Sequence, residues 1–288
     1  MELDEYQDRA QKTDQPPRDG RDPMLVPILG LAGEAGTLLD EYKKVLRDGS
    51  GHRRFKDHVH EELGDLLWYV AVLAAKAGIS LEDVAQANLA KVADRWTESD
   101  DTIALFDEAF PETERLPRDF EVVFAYDNAD EQGKVIVRSG GVQVGNLLTD
   151  NAYDRDGYRF HDVYHYTFAA ILGWSPVTRR HLKRKRKSVP RVDEVEDGGR
   201  GWVIEEAIAA LSFAYASEHG YFDETDRVDA SLLKTIHALT ATVEVSSRSA
   251  RDWERAIVSA SRVWKLVNEH DGGTIVGDLL ARTISYTP

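Results

Sequence analysis

The sequence predicts a mainly α-helical protein, in which an N-terminal four-helix bundle precedes a C-terminal helical domain with a small antiparallel β-sheet. Three observations predict this fold class. Apolar residues recur at helical spacing over the first third of the chain, short segments rich in Val and Phe follow an acidic segment, and apolar helical patterns then return. The predicted domains are residues 1–98, an acidic linker at 99–119, and residues 120–288.

The N-terminal third contains four predicted helices joined by short loops. The first is "LDEYQDRAQKT", and the second begins near Met24, with apolar residues from Leu31 to Tyr42 on one stripe. The third is "DHVHEELGDLLWYVAVLAAKAG", where Gly78 is a natural stop. The fourth is "SLEDVAQANLAKVADRW", with Ser80 as its N-cap and Asp83 in the capping position that follows. Four helices with short connections favour a bundle.

The remainder of the chain changes in character. The segment "TESDDTIALFDEAFPETERLPRD" is acidic, contains two prolines and has little periodicity, which is typical of a linker. The runs "FEVVFAY", "GKVIVRS" and "GVQVGNLL" follow it, separated by turn-forming residues, and predict a small antiparallel sheet. From Tyr158 onward we predict helices over "FHDVYHYTFAAILGW", "VIEEAIAALSFAYASEHG", "DASLLKTIHALTATV" and "SARDWERAIVSASRVWKLVNEH".

The composition excludes several kinds of site. The 288 residues include no cysteine, which rules out disulfides, zinc–thiolate centres and cysteine nucleophiles. The formal charge of −15 argues against nucleic-acid binding over the whole surface. No apolar run approaches the roughly 20 residues of a membrane span, and the acidic start lacks the apolar core of a signal peptide. We therefore expect no membrane association and a cytoplasmic location.

Three carboxylates in the predicted bundle are candidate metal ligands. Glu34 lies on the second helix, and Glu62 and Asp65 lie on the third, where their i, i+3 spacing places them on one face. Acidic groups packed together without partners repel one another and raise one another's pKa. A divalent cation relieves that repulsion, and oxygen ligands suit Mg²⁺ or Mn²⁺. The alternative interpretation is an ordinary solvated acidic face.

The sequence around these carboxylates resembles the MazG family of all-α nucleoside triphosphate pyrophosphohydrolases. The resemblance rests on "LGLAGEAGTLLDEYKK", on "EELGDLLWYVAVLAAKAGISLEDVAQANLAKVADRW" and on the opening "LDEYQDRAQKT", roughly the first third of the chain. The family signature is E-x-x-E followed, after a gap, by E-x-x-D. Here Glu62 and Asp65 complete the second half, whereas Glu34 is followed by Thr37 where the second Glu is expected.

This resemblance implies Mg²⁺-dependent hydrolysis of an NTP or dNTP between the α- and β-phosphates, and it implies a homodimer or a higher homo-oligomer. Glu34, Glu62 and Asp65 then take the catalytic, metal-binding roles. Candidate substrate-binding residues are the cations Lys43 and Lys44, the helix face of Asn88, Lys91 and Arg95, the ring of Trp68, and Gln7 in the opening segment. Core packing is the favoured alternative for Trp68, and a solvated face is the alternative for Lys91 and Arg95.

Thr37 leaves two interpretations open. A threonine offers a hydroxyl to a metal but no charge, and Glu41, at i+7 from Glu34, is a possible replacement ligand. In the first interpretation the modified site still works as an enzyme. In the second, the bundle binds or senses nucleotide without turning it over, and any chemistry or partner binding lies in the C-terminal half.

The C-terminal half resembles the helical extension of some MazG-like proteins of bacteria and phages, and its residues indicate a possible second site. His161 and His165 stand at i, i+4 with Asp162 between them, and Glu205 and Glu206 occur on a later helix. Two histidines and a carboxylate can bind a transition metal. The alternative is a set of ordinary, satisfied histidines next to a capped helix.

One dense basic run, "TRRHLKRKRKS", stands out in this acidic chain. Its core, Lys183–Lys187, is a candidate phosphate contact, although such runs are usually solvated. The acidic "VDEVEDGG" that follows can fold back on it and neutralise it. We expect nucleic-acid binding to be weak or absent.

Overall fold

The computed structural model describes residues 1–15, 22–96, 103–126 and 133–288, without the side chains of residues 95 and 96. The chain forms two compact units, Met1–Ala93 and Asp94–Pro288. The predicted fold class is confirmed, since helices dominate and one antiparallel sheet of five strands accompanies them.

The four predicted helices are α1 (Leu3–Gln11), α2 (Leu25–Asp48), α3 (Phe55–Ala77) and α4 (Leu81–Trp96), and the first unit contains all of them except the last residues of α4. Its loops follow the sequence signals. Gly78 ends α3 in the left-handed conformation at φ 69°, and the hydroxyl of Ser80 accepts a hydrogen bond from the Asp83 backbone N–H at 3.1 Å.

A glycine permits close packing of α2 against α3. A Cβ built on Gly30 would lie 2.2 Å from the ring of Tyr69, whereas Glu41, further along α2, contacts His58 near the start of α3. The two helices are therefore antiparallel, and Glu34, one turn beyond Gly30, faces the same helix. This close approach brings the carboxylate of Glu34 toward α3.

We expect Gly30→Ala to lower the free energy of unfolding by about 1–3 kcal/mol, because the new methyl group displaces the Tyr69 ring from the helix interface. Gly33→Ala is the matched control, since its Cβ meets no atom within 4 Å. That control should stabilise the protein by up to about 1 kcal/mol through helix propensity. Urea unfolding of both variants is the measurement, and equal effects would argue against the close contact.

The second unit is organised around a sheet. Its strands are β1 (Asp119–Tyr126), β2 (Val135–Ser139), β3 (Val142–Gln143), β4 (Gly273–Asp278) and β5 (Thr283–Thr287), in the order β3-β2-β1-β4-β5 with every neighbouring pair antiparallel. The sequence predicted β1 to β3. It did not predict β4 and β5, which extend the sheet on the other side of β1.

Helices pack on this sheet and on one another. They are α5 (Asp162–Leu172), α6 (Pro176–His181), α7 (Pro190–Val195), α8 (Gly199–Glu218), α9 (Ala230–Thr240) and α10 (Ala250–Glu269). Every residue of α5 is buried, and this helix lies against β4, β5, α8 and α10. A helix that is covered on all sides must satisfy its polar side chains internally. The polar side chains concerned include Asp162 and His165 on α5, and His161 immediately precedes the helix.

Residues 103–118, part of the segment predicted to be a linker, lie within the second unit. The buried carboxylate of Asp107 accepts hydrogen bonds from Arg179 Nη2 at 2.9 Å and from the Leu116 backbone N–H at 2.7 Å. Residues 97–102 are outside the described part of the chain. The domain bounds at residues 98 and 119 stay a prediction.

Within the described ranges, no single helix has the length and composition needed to cross a membrane, although α3 and α4, bent by 106° at their connection, reach that composition when counted as a pair.

Candidate active site

Three carboxylates converge where α2 packs against α3. The ligand oxygens of Glu34, Glu62 and Asp65 lie within 4.8 Å of one another. The i, i+3 spacing on α3 and the close antiparallel approach of α2 produce this arrangement. The structure thus brings together the three residues that the sequence analysis proposed as metal ligands.

The electrostatics of this cluster are unfavourable without a cation. Burial, a hydrogen bond with Glu34 and the negative charges of Glu34 and Asp65 together raise the pKa of Glu62 above its usual value. Glu62 Oε2 is shielded from solvent and has no hydrogen-bond partner among the described residues. An oxygen in that situation suits a divalent metal with hard oxygen ligands such as Mg²⁺ or Mn²⁺.

Thr37 lies on the exposed part of α2 near this cluster. Its hydroxyl donates a 3.2 Å hydrogen bond to the Gly33 carbonyl, one turn earlier. This is the back-bonding that threonine commonly adopts within helices. In this rotamer the hydroxyl is engaged by the backbone rather than directed at a metal.

Glu41 does not join the three carboxylates. Its buried carboxylate accepts hydrogen bonds from Lys44 at 2.5 Å, from His58 Nδ1 at 2.8 Å and from His52 Nε2 at 2.9 Å. Hydrogen bonds from Lys44 and then His58 lower the pKa of Glu41 to about 2, against the opposing effect of burial. Glu41 lies two turns beyond Glu34 on α2, and this position places it beside His58 near the start of α3, one turn before Glu62.

His52 and His58 were not among the residues that the sequence analysis singled out. With Glu41 they form a second group in this unit whose potential ligand atoms lie within 4.8 Å of one another. His52 stands in the break between helices and His58 on α3, so no shared helical spacing connects them. Only the antiparallel packing brings them together.

The two lysines proposed as phosphate contacts are held by carboxylates of their own helix. Lys43 Nζ lies 2.5 Å from Asp40, and Lys44 lies 2.5 Å from Glu41 and 3.3 Å from Asp40. Lys44 therefore has little freedom to reach a nucleotide, whereas Lys43 is exposed. Their role in substrate binding stays a prediction.

Two of the three candidates on α4 are exposed. Asn88 and Lys91 are both accessible to solvent and lie one turn apart, as predicted. The side chain of Arg95 lies outside the described part of the chain. A phosphate-binding role for this face stays a prediction.

Trp68 and Gln7 are engaged in packing. Trp68 packs on the small apolar cluster of this unit and donates its indole N–H to Thr13 at 2.8 Å. The Gln7 amide donates to the Ile79 carbonyl and accepts from the Leu81 backbone N–H, both at 2.8 Å. Gln7 therefore fastens α1 to the connection between α3 and α4, which leaves a base contact unsupported by this arrangement.

The second predicted site also assembles in part. Ligand atoms of His161, His165 and Glu206 lie within 4.8 Å of one another. Glu205 is instead bonded to His165 Nδ1 at 2.9 Å and accepts from Ser175 at 2.5 Å. Burial opposes the charged form of His165, but the charge and hydrogen bond of Glu205 outweigh it and raise the pKa of His165 to about 10. Asp162 Oδ1 lies 3.5 Å from His161 Nε2.

The basic run is largely occupied by ion pairs within the second unit. Arg186 is buried and bonded to Asp197 and Glu244, and Lys185 lies 2.6 Å from Asp193. The acidic segment that follows the run thus folds back on it. Lys183 and Lys187 are exposed, and whether they touch a phosphate stays a prediction.

Comparisons with known proteins agree with the family resemblance. Residues 27–98 match the family model of the MazG nucleotide pyrophosphohydrolase domain, and residues 101–288 match that of the MazG C-terminal domain. The Gene 37 protein of Mycobacterium phage L5 is 44% identical over 69 residues, which are 23% of this chain and 60% of that protein. The match thus spans less than two thirds of that relative's length. No solved structure matches the chain. Since the two family models together cover most of its length, the chain belongs to the MazG family, with a MazG nucleotide pyrophosphohydrolase domain followed by a MazG C-terminal domain.

Proposed function

We propose that the N-terminal domain is a Mg²⁺-dependent hydrolase that cleaves nucleoside triphosphates or deoxynucleoside triphosphates between the α- and β-phosphates. The products are the monophosphate and pyrophosphate, and the role is housekeeping of the cytoplasmic nucleotide pool. The observation that carries the proposal is the convergence of Glu34, Glu62 and Asp65 around a shielded oxygen that has no hydrogen-bond partner in the described part of the chain. The match to a nucleotide pyrophosphohydrolase domain supports the reaction class.

In this proposal the residues of the chain divide the work. Glu34, Glu62 and Asp65 hold the metal through oxygen ligands. Once bound, Mg²⁺ supplies Lewis acidity toward the phosphates and a water of lowered pKa. Asn88 and Lys91 on α4 are assigned to the phosphates, because positioning and charge neutralisation dominate phosphoryl chemistry.

Pyrophosphate release from a panel of canonical and modified NTPs and dNTPs, with Mg²⁺ and with Mn²⁺, tests the proposal. We expect release by the wild-type protein. We expect Thr37→Glu to lower the Mg²⁺ concentration for half-maximal rate on the order of tenfold, because a further charged ligand strengthens the site. Thr37→Gln, which adds length without charge, is the matched control. A wild-type protein that releases no pyrophosphate from any of these nucleotides would contradict the proposal.

The same assay decides the alternative function, a nucleotide-binding or sensing module without turnover. The observation that favours this alternative is the Thr37 hydroxyl, which is bonded to Gly33 and adds no charge to the cluster. Nucleotide binding by equilibrium dialysis together with turnover only in Thr37→Glu would establish it. Turnover by the wild-type protein would exclude it.

We further propose that the N-terminal domain forms a homodimer or a higher homo-oligomer. Its buried apolar cluster consists of Ala10, Ala71, Val72 and Leu81 among the described residues, which is small for a bundle of this length. Leu39, Tyr42 and Leu46 form one stripe on α2, and their exposed fractions are 71%, 56% and 72%. A contiguous apolar stripe of this kind is typical of a protein–protein interface. A second copy can cover it with a stripe of the same composition.

We expect Leu39→Glu combined with Leu46→Glu to convert a wild-type dimer, or higher oligomer, into monomers, because the introduced charges cannot be buried in the interface. Sedimentation velocity at micromolar protein concentration is the measurement. Leu280→Glu, which changes an exposed leucine of the second unit, should leave the assembly unchanged. A monomeric wild-type protein would contradict the prediction.

A further inference from the structure

Three metal-ligand side chains of the second unit converge at the junction of α5 and α8. His161 immediately precedes α5, His165 lies one turn further along, and Glu206 lies on α8. Their candidate ligand atoms are within 4.8 Å of one another. His165 is fully buried, His161 is nearly so, and the Glu206 side chain is 39% exposed, so the group opens toward solvent on one side.

Each histidine is oriented by a bond to its other ring nitrogen. His161 Nδ1 is bonded to the Tyr158 backbone carbonyl at 2.8 Å, and His165 Nδ1 is bonded to the Glu205 carboxylate at 2.9 Å. Because Nδ1 of each ring is occupied by these bonds, Nε2 is the nitrogen that faces the other two candidate ligands. Metal-ligating histidines almost always have such a carbonyl or carboxylate partner, which fixes the tautomer and the ring orientation.

Glu206 and Glu205 are themselves held in place. The indole N–H of Trp202 donates to Glu206 Oε1 at 2.9 Å, which leaves Oε2 for the group. Glu205 accepts hydrogen bonds from the Ser175 hydroxyl at 2.5 Å and the Val177 backbone N–H at 2.8 Å. The support of all three side chains by a second layer of hydrogen bonds is typical of a built site rather than an accidental cluster.

An ion pair between His165 and Glu206 is the alternative explanation of this arrangement. Their closest atoms, His165 Nε2 and Glu206 Oε2, are 3.4 Å apart but do not meet hydrogen-bond geometry. The fully buried Nε2 has no hydrogen-bond partner among the described residues. Buried polar atoms are rarely left unpaired, so this nitrogen suits a metal ion that displaces its proton on binding.

We propose that His161 Nε2, His165 Nε2 and Glu206 Oε2 bind a divalent first-row transition metal, with Zn²⁺ as the representative ion. Imidazole nitrogen selects such metals over Mg²⁺, and one carboxylate completes a three-ligand set. Asp162, 3.5 Å from His161 Nε2, adds negative charge beside it. Three protein ligands and a solvent-facing side leave a position for water or substrate, as in catalytic rather than closed structural sites. This site is separate from the carboxylate cluster of the proposed pyrophosphohydrolase and does not depend on that function.

The test is Zn²⁺ binding by the full chain, freed of metal with a chelator and titrated in competition with a chromophoric chelator. Glu62→Gln and His58→Gln form the background for every measurement, because they remove the other two candidate groups. We expect one Zn²⁺ per chain in this background. We expect at least about a 100-fold loss of affinity for both His161→Gln and Glu206→Gln, since residues that only support ligands already contribute 10- to 100-fold.

His270→Gln is the matched control. The Nδ1 atom of His270 is bonded to the Leu266 backbone carbonyl at 2.8 Å, just as that of His161 is bonded to the Tyr158 carbonyl. His270 is exposed and belongs to none of the potential metal-ligand groups among the described residues. The Zn²⁺ affinity of the His270→Gln variant should equal that of the background variant. Circular dichroism checks the fold, and Glu206→Gln, which changes a half-exposed side chain, decides the matter if His161→Gln fails to fold. The proposal would be overturned if the background variant bound no Zn²⁺, or if a folded Glu206→Gln variant bound Zn²⁺ with unchanged affinity.

Discussion

Glu62→Gln is expected to reduce Mg²⁺-dependent pyrophosphate release by more than about 100-fold, the upper range for residues that merely support a metal ligand. Glu62 is the central member of the carboxylate cluster, because its pKa is raised by burial and by both Glu34 and Asp65. The amide keeps the size of the side chain and removes the charge. Steady-state kinetics across a range of Mg²⁺ concentrations is the measurement.

Glu61→Gln is the matched control for this experiment. Glu61 is the preceding residue on α3 and is exposed. Its substitution by Gln is the same chemical change as at Glu62. It should retain activity to within about twofold, because charges in solvent are screened. Equal activity of Glu62→Gln and the wild-type protein would remove the metal-binding role of the cluster, whereas equal losses in both variants would indicate a general effect of charge.

The carboxylate cluster could be predicted because its geometry is mostly local. Glu62 and Asp65 share a helix face by spacing alone, and the surrounding sequence resembles a known family closely enough to add Glu34. Glu41 could not be placed in the same way. The contacts of its carboxylate depend on the register in which α2 and α3 pack against each other. That packing places His52 and His58 within hydrogen-bond distance of Glu41.

The sheet, too, could be predicted only where its strands are neighbours in sequence. β1 to β3 follow one another in sequence and are separated by turn residues, so alternation and turn signals suffice to predict them. β4 and β5 are short and follow a long helix, and β4 pairs with β1 across most of the unit's length, with Ile275 opposite Val122. Pairing over such a separation is decided by burial in the folded state.

The adjacent residues Glu205 and Glu206 illustrate how helix rotation assigns roles. Both were proposed from sequence as members of one site. In the structure Glu205 is buried and orients His165, whereas Glu206 is half-exposed and faces the histidines. Consecutive residues on a helix point about 100° apart, so only the packing of α8 against α5 determines which one meets a ligand.

Asp197→Asn is expected to lower the free energy of unfolding of the second unit by about 3–5 kcal/mol. Asp197 is buried. Its carboxylate accepts a hydrogen bond from the Arg186 backbone N–H at 2.7 Å and another from Nη2 of the Arg186 guanidinium at 2.7 Å. Arg179, also buried, lies 3.7 Å from the same carboxylate. Removing the negative charge leaves two buried guanidinium groups with less compensation. The loss of one partner of a buried charge pair is far more costly than the net contribution of that pair.

Asp193→Asn is the matched control, because Asp193 forms an ion pair with Lys185 at 2.6 Å in which both side chains are partly exposed. Solvent screening limits such a pair to about 1 kcal/mol or less. Urea unfolding followed by tryptophan fluorescence, to which the buried Trp174, Trp253 and Trp264 contribute, measures both variants. If the two losses were equal, the basic run would be a surface feature rather than part of the core. A large loss of unfolding free energy for Asp197→Asn alone would instead explain why this run is rich in arginine within an acidic protein, since buried arginines of the run form ion pairs that stabilise the second unit.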